Sequence, residues 1–244
     1  MNYQVQNKKI IQDLSVSIEG PGITTILGEN GAGKSSLLRC LSGLWEKSKN
    51  QILLQNQPLA KIPLETRSRI LAWCPAESTI SFSYSILDIC LMGFYPWKQQ
   101  LKEEDQLNKI DSLLKLFNLD QKKNQNYQTL SSGEKKLVNL TRVLATPHKI
   151  VILDEPTAHL DLRNTFKVFN LLHKESRQGK NIILATHDIQ QAYQAYDRMI
   201  LLQKGKIFSD TTRKGKDILP LMNEIFGVYM TVSGNSLEIR GPQI

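Results

Sequence analysis

Between Ile23 and Leu38 the chain changes character twice. An apolar run, Ile23-Thr24-Thr25-Ile26-Leu27, breaks into Gly28-Glu29-Asn30-Gly31-Ala32-Gly33-Lys34-Ser35, and Ser36-Leu37-Leu38 then opens a helical pattern. A buried strand that enters a helix through a glycine loop is the unit from which α/β folds are built, so this order restricts the architecture more than any other stretch of the sequence. The loop satisfies the phosphate-binding pattern G-x-x-x-x-G-K-[ST] in its required setting, strand before and helix after. Glycines let the backbone wrap tightly and turn successive N–H groups toward phosphate oxygens, and the helix start adds the positive end of its dipole. Lys34 neutralises the β and γ phosphates. Ser35 offers a hydroxyl to Mg²⁺, a hard cation that takes one or two protein oxygens and completes its shell with phosphate and water. Gly28 through Ser35, with Ser36 beside them, are the candidate nucleotide-binding residues. The competing reading is an ordinary glycine turn followed by a surface lysine.

Further strands and their ends weigh against that plainer reading. Ile150-Val151-Ile152-Leu153, Asn181-Ile182-Ile183-Leu184-Ala185 and Met199-Ile200-Leu201-Leu202 are short apolar runs of the kind found in buried parallel strands. Leu107, Ile110, Leu113, Leu114 and Phe117 fall on one helical face, and Leu137, Leu140, Thr141 and Leu144 on another. Tyr3–Val5 and Leu14–Ile18 alternate in polarity and are expected to pair antiparallel, whereas 77–128 carries no convincing strand and is expected to be a helical insert. The run from Ile150 ends in Asp154-Glu155, and ligands of open α/β sheets sit at the carboxyl ends of strands. Neighbouring residues on a strand point to opposite sides, so the two carboxylates take separate tasks: Asp154 in the Mg²⁺ shell, Glu155 on an attacking water. The strand from Asn181 ends in Thr186-His187-Asp188, where His187 can donate to a terminal phosphate or orient that water.

Size and composition exclude several classes. A chain of 244 residues with 41% hydrophobic and 22% charged residues can bury a core of its own and is neither fibrous nor disordered. No apolar run approaches the length needed to span a bilayer, and no apolar signal core follows the first charges, so the expectation is a protein that stays in the cytosol. Cys40, Cys74 and Cys90 are few, odd in number and far apart, which suits buried reduced thiols better than disulfides or zinc. The net charge of +8 admits nucleic acid, an anionic surface or a polyanionic small molecule. Basic residues are largely interleaved with acids, as in Lys102-Glu103-Glu104-Asp105 and Glu134-Lys135-Lys136, a pattern expected on solvated faces.

Taken with Leu130-Ser131-Ser132-Gly133-Glu134, these motifs resemble those of the ATP-binding-cassette (ABC) ATPases, whose signature is L-S-G-G-Q. The resemblance covers nearly the whole chain. It implies a P-loop NTPase cassette: a mostly parallel sheet core with an N-terminal antiparallel β part, formed by 1–76 and 129–244, and a helical insert at 77–128. It also implies ATP and Mg²⁺ as ligands and His187 as the switch histidine. Ser131, Ser132, Gly133 and Glu134 would then contact the ATP held by a second subunit, with Asp161, in Ala158-His159-Leu160-Asp161, at the subunit contact. One copy of each motif calls for a partner cassette, and a homodimer is the economical choice. Tyr3 is the one candidate for stacking on adenine, the alternative being an aromatic that packs under the first strand. Two departures stand out. Where the family carries a glutamine that touches Mg²⁺ and senses the transmembrane partner, this chain has Trp73-Cys74-Pro75-Ala76 and then Glu77, and in the signature Ser132 and Glu134 replace glycine and glutamine.

The segment Tyr84–Trp97 and the tail around Glu224–Val228 and Leu237–Ile239 are similar to those of importer ATPases for ferric siderophores, haem and cobalamin. That similarity implies a cytoplasmic motor, peripheral on the inner face of the cell membrane, docked on a separate permease and served indirectly by a substrate-binding protein. Phe94, Tyr95 and Trp97 are a candidate docking patch or, alternatively, core. Two other readings are a soluble ABC ATPase of iron–sulfur assembly and an ABC ATPase linked to nucleic acid. The second is suggested by charge alone, and no nucleic acid is expected.

Overall fold

A computed structural model describes residues 1–5, 8–78, 80–212, 218–233 and 236–242. In chain order the elements are β1 (Tyr3–Val5), β2 (Lys8–Ile11), β3 (Gly22–Leu27), α1 (Lys34–Leu41), β4 (Leu53–Leu54), β5 (Gln57–Pro58), α2 (Leu64–Ile70), β6 (Leu71–Cys74), α3 (Ile86–Met92), α4 (Glu103–Leu116), α5 (Ser132–Leu144), β7 (Ile150–Asp154), α6 (Leu162–Arg177), β8 (Asn181–Thr186), α7 (Ile189–Ala195), β9 (Arg198–Gln203), β10 (Lys206–Thr212), α8 (Leu219–Phe226), β11 (Val228–Ser233) and β12 (Ser236–Pro242). They form two compact units, Met1–Ile62 with Asn181–Ile244, and Pro63–Lys180.

In the first unit β3 is buried from Ile23 to Leu27 and lies parallel to β8 on one side and β9 on the other. β10 returns antiparallel along β9, and its burial alternates residue by residue, as one covered face requires. The start of β3 is fixed by a reciprocal pair: Ile23 N–H donates to Asp197 Oδ2 at 2.8 Å, and Asp197 N–H donates to the Ile23 carbonyl at 2.9 Å. Beyond the sheet, α8 and the hairpin β11–β12 bury Met222, Ile225, Met230 and Leu237 against Met199 and Leu201. The tail segment Leu237–Ile239 lies in β12.

The N-terminal expectation needs correction. β1 does pair antiparallel, but with β2, and Leu14–Ile18 forms no strand. Asp13 takes a left-handed φ of 48°, and its backbone N–H and carboxylate are both engaged by the Asn2 side chain. The chain therefore turns before Leu14, whose N–H donates to the Met1 carbonyl at 3.0 Å. A backbone already committed to this turn has no second strand to offer a ladder.

In the second unit β6 and β7 pair in parallel, Leu71 with Ile150 through Cys74 with Leu153. Between them 77–128 contains helices and an isolated bridge, Ser85 to Asn126, but no strand among its described residues. α4 opens with Glu103, Glu104 and Asp105 and ends with Lys115, charges that complement its dipole, and it buries Ile110 and Leu114. Phe94 and Trp97 are 3% and 8% exposed and belong to the core, which removes them from the candidate docking patch and leaves Tyr95 at 78%. Cys40, Cys74 and Cys90 are free and buried, as expected.

His148, just ahead of β7, is buried edge-on against Trp97, with its ring nitrogens on Thr146 Oγ1 and the Ser68 carbonyl. Burial holds its pKa down to about 4 from the usual 6.5. Between those values the unfolded chain binds more protons than the folded one, so stability is retained above pH 6.5 and lost as pH falls toward 4, by up to about 3 kcal/mol. Urea midpoints measured from pH 7 to pH 4 should fall for the wild type and change less for His148→Phe. An equal slope for the two would assign the acid lability to other groups.

Candidate functional site

The glycine loop begins where β3 ends. Gly28 is buried, and a Cβ there would stand 2.3 Å from the Leu202 carbonyl, so only glycine lets the chain leave the sheet at this point. Gly33 caps α1 in a left-handed conformation, φ 104°, and a side chain at that position would press on the Ile10 carbonyl at 3.1 Å. The loop is also tied from behind: Gly205, in the turn between β9 and β10, donates its N–H to the Ala32 carbonyl at 2.9 Å. Glu29, Asn30 and Gly31 remain exposed at the rim. Lys34 is 6% exposed and turns its Nζ back into the loop, donating to the carbonyls of Gly28 at 2.7 Å and Glu29 at 2.9 Å. A buried ammonium requires such acceptors, and the same donors suit phosphate oxygens. Ser35 and Ser36 follow in the first turn of α1, half-buried.

His187 stands at the same strand edge as this loop, because Leu27 and Thr186 are register partners at the ends of β3 and β8. It is exposed, immediately before Asp188, which caps α7 by accepting from Gln191 N–H at 3.0 Å. Tyr3 stacks on Trp45, ring centroids 4.3 Å apart and planes within 13°. One face of Tyr3 is thus occupied by protein.

The second unit carries the carboxylates and the signature turn. Asp154 ends β7 at 2% exposure, and Glu155 follows in a left-handed conformation, φ 47°, that re-aims the backbone immediately after the strand. Ser131 caps α5 and Glu134 returns the contact: Glu134 N–H donates to Ser131 Oγ at 3.3 Å, and Ser131 N–H and hydroxyl both donate to Glu134 Oε2 at 2.9 Å. Lys122 Nζ lies 2.6 Å from Glu134 Oε1, and this bond, ahead of those from Ser131, holds the carboxyl below its usual range. Gly133 has no room for a side chain, since a Cβ would meet the His159 carbonyl at 2.9 Å, and Ser132 is exposed beside it. Asp161 caps α6 through Asn164 N–H at 2.7 Å and is itself exposed.

Sequence reasoning missed Lys136. It was expected on a solvated face with Glu134 and Lys135, yet it is 6% exposed, and its Nζ donates to the carbonyls of Pro75 and Ala76. The helical period supplies the reason. Lys136 lies beside Leu137 and one turn before Leu140, on the side of α5 that packs inward, and alternation of charge along the sequence does not report that phase.

No helix among the described residues is long and apolar enough to cross a membrane. Nor does any group of three or more His, Cys, Asp or Glu side chains there form a candidate metal cluster. The Ser35 hydroxyl and the Asp154 carboxylate are each hard oxygen donors, the chemical type that Mg²⁺ takes.

A glycine loop on a buried parallel strand, a buried lysine inside it and an acidic pair ending another strand define a P-loop nucleotide-binding protein. The family model described as ABC transporter matches residues 11–158, and the chain belongs to that family; it is an ATPase. A hemin import ATP-binding protein, HmuV, from Shewanella denitrificans is 34% identical over 215 residues, covering 85% of this chain and 83% of that relative. Two solved structures share the fold. A dimeric ATP-binding cassette in a post-hydrolysis state with ADP and phosphate has a TM-score of 0.76 at 22% identity, over 88% of this chain and 96% of that one. An inward-facing ABC transporter of metal-chelate type has a TM-score of 0.74 at 23% identity, over 98% and 93%.

Replacing Lys34 by Ala should weaken ATP binding about ten- to hundredfold, the equivalent of the ~1.5–3 kcal/mol carried by hydrogen bonds to charged groups. Equilibrium binding of a fluorescent ATP analogue measures this, and unchanged affinity would remove Lys34 from the nucleotide site.

Proposed function

We propose that this chain is the ATP-hydrolysing subunit of an importer for a metal chelate, with haem the favoured cargo. The observation that carries the cargo reading is the 34% identity, along 83% of its length, to a protein described as a hemin import ATP-binding protein. It favours import over the iron–sulfur assembly and nucleic-acid readings. Ferric siderophores and cobalamin remain the alternative cargoes of the same class.

In this reading the N–H groups of Gly28–Gly33 and the Lys34 ammonium hold the β and γ phosphates. Ser35 and Asp154 would hold Mg²⁺, which when bound draws charge from the phosphate oxygens. Glu155 accepts a proton from the attacking water, the water oxygen bonds to the γ phosphorus, and the bond to the bridging oxygen breaks to release ADP. His187 donates to the γ phosphate and fixes its orientation. Tyr3, stacked on Trp45, offers its remaining face to adenine. A second copy of the chain packs so that Ser131, Ser132, Gly133 and Glu134 of one copy face the triphosphate of the other, with Asp161 at the contact. Binding draws the copies together and hydrolysis releases them. A permease in the cell membrane receives this motion on the cytoplasmic side, with exposed Tyr95 and Phe82 of the helical stretch 77–128 as its docking residues. A substrate-binding protein hands the cargo to that permease.

Glu155→Gln should lower turnover about 10²- to 10⁴-fold, the range of a general base, while ATP affinity persists. With Mg²⁺ and ATP the same variant should elute as a dimer in size-exclusion chromatography. Turnover at the wild-type rate would overturn the assignment of Glu155, and a monomer under these conditions the paired-cassette reading. Cells lacking the chain should lose uptake of labelled hemin. Retained hemin uptake with loss of cobalamin or ferric siderophore uptake would reassign the cargo.

A further inference from the structure

Lys136 places a buried positive charge against the loop at Pro75 and Ala76. The loop follows β6, whose last residue, Cys74, is the register partner of Leu153, so Pro75 and Ala76 leave the β6–β7 pair at the edge where Asp154 and Glu155 leave it. Lys136 reaches that edge from α5 and donates to both loop carbonyls, at 3.4 Å to Pro75 and closer to Ala76. Ala76 has no polar side chain with which to anchor the segment, and Glu77, next in line, is exposed and adds a negative charge.

Electrostatics points the same way. Burial pulls the ammonium below the usual lysine range, and Cys74, Asp154, Glu155 and Glu77 oppose that shift. Without Lys136 the carbonyls of Pro75 and Ala76 would lose this donor.

We propose that Lys136 is a positioning residue for ATP hydrolysis, tying the loop Pro75–Glu77 to the helix opened by the Ser131–Glu134 turn. The inference rests on the reading that Glu155 activates the water. A displacement of Ser131 at the head of α5 is transmitted along one helical turn to Lys136 and from there to the loop. The loop's link to the signature turn is thus made by a side chain of the helix.

The test uses the full chain. Lys136→Met, which keeps the aliphatic stem, should lower kcat about ten- to hundredfold, the cost of misplacing a reacting group, with KM for ATP little changed. Lys136→Arg should recover most of that loss. Adding Glu77→Gln to Lys136→Met should raise kcat again, because it removes a negative charge that Lys136 opposes in the wild type. Independently of turnover, hydrogen exchange of the amides at 76–78 should quicken in Lys136→Met while β3 and α1 exchange as before. A wild-type kcat in Lys136→Met overturns the proposal. So does an equal loss in the Met and Arg variants that Glu77→Gln does not relieve, since that pattern belongs to packing. Glu155→Gln is the control for the underlying reading. If it is inactive while Lys136→Met is normal, the Lys136 inference alone fails; if it turns over normally, the reading of Glu155 fails first.

Discussion

The contact between the Lys34 ammonium and the carbonyls of Gly28 and Glu29 closes the glycine loop into a ring. A charge this deeply buried is tolerated only with acceptors in reach, and here the loop's own backbone supplies them. The consequence is preorganisation. In the proposed nucleotide site the backbone path that wraps the anion is drawn around the cation that meets it, so binding exchanges one set of oxygens for another and orders little chain. The surrounding structure serves that ring. The Leu202 carbonyl excludes a side chain at Gly28, the Ile10 carbonyl crowds Gly33, and Gly205 holds Ala32 from behind, so β2 and the β9–β10 turn form the loop's outer wall. Residues from the two ends of the first unit thereby converge on one short segment.

This convergence explains what could be read from sequence and what could not. β3, β7, β8 and β9 were legible because strands buried on both faces must be apolar throughout, and such runs are short and bounded. The loop was legible because its spacing is demanded by a local backbone path. Leu14–Ile18 was misread because alternation shows only that a segment could lie half-buried; the turn at Asp13, fixed by Asn2, decided the outcome through a contact that no periodicity records. Phe94 and Trp97 were equally ambiguous, since an aromatic that packs inward and one that waits for a partner look alike in sequence. Lys136 was hidden for a sharper reason. Burial of a lysine depends on acceptors delivered by a distant segment, the carbonyls of Pro75 and Ala76, and nothing in the Glu134-Lys135-Lys136 string announces them.

The two buried lysines also show why one principle gives different roles. Lys34 faces backbone carbonyls at the mouth of a helix, where amide donors and the dipole already favour an anion, and this is what supports its proposed place in a phosphate site. Lys136 lies beyond the first turn of α5, where its acceptors are the carbonyls of a loop outside that helix. A cation there is spent on holding protein groups together.

The helix starts assigned to the site work by the same economy. Ser131 and Asp161 each satisfy amides that would otherwise be orphaned at a helix N-terminus, and those amides are also the donors best placed to meet an incoming anion. At Ser131 the cap is reciprocal, and Glu134 brings a full negative charge into a turn assigned to a triphosphate. Lys122, 2.6 Å from Glu134 Oε1, offsets that charge, which is what the proposed contact with a triphosphate needs. A carboxylate in the signature is thus compatible with anion recognition as long as its partner lysine remains paired, and the departure from glutamine is absorbed by a residue outside the motif.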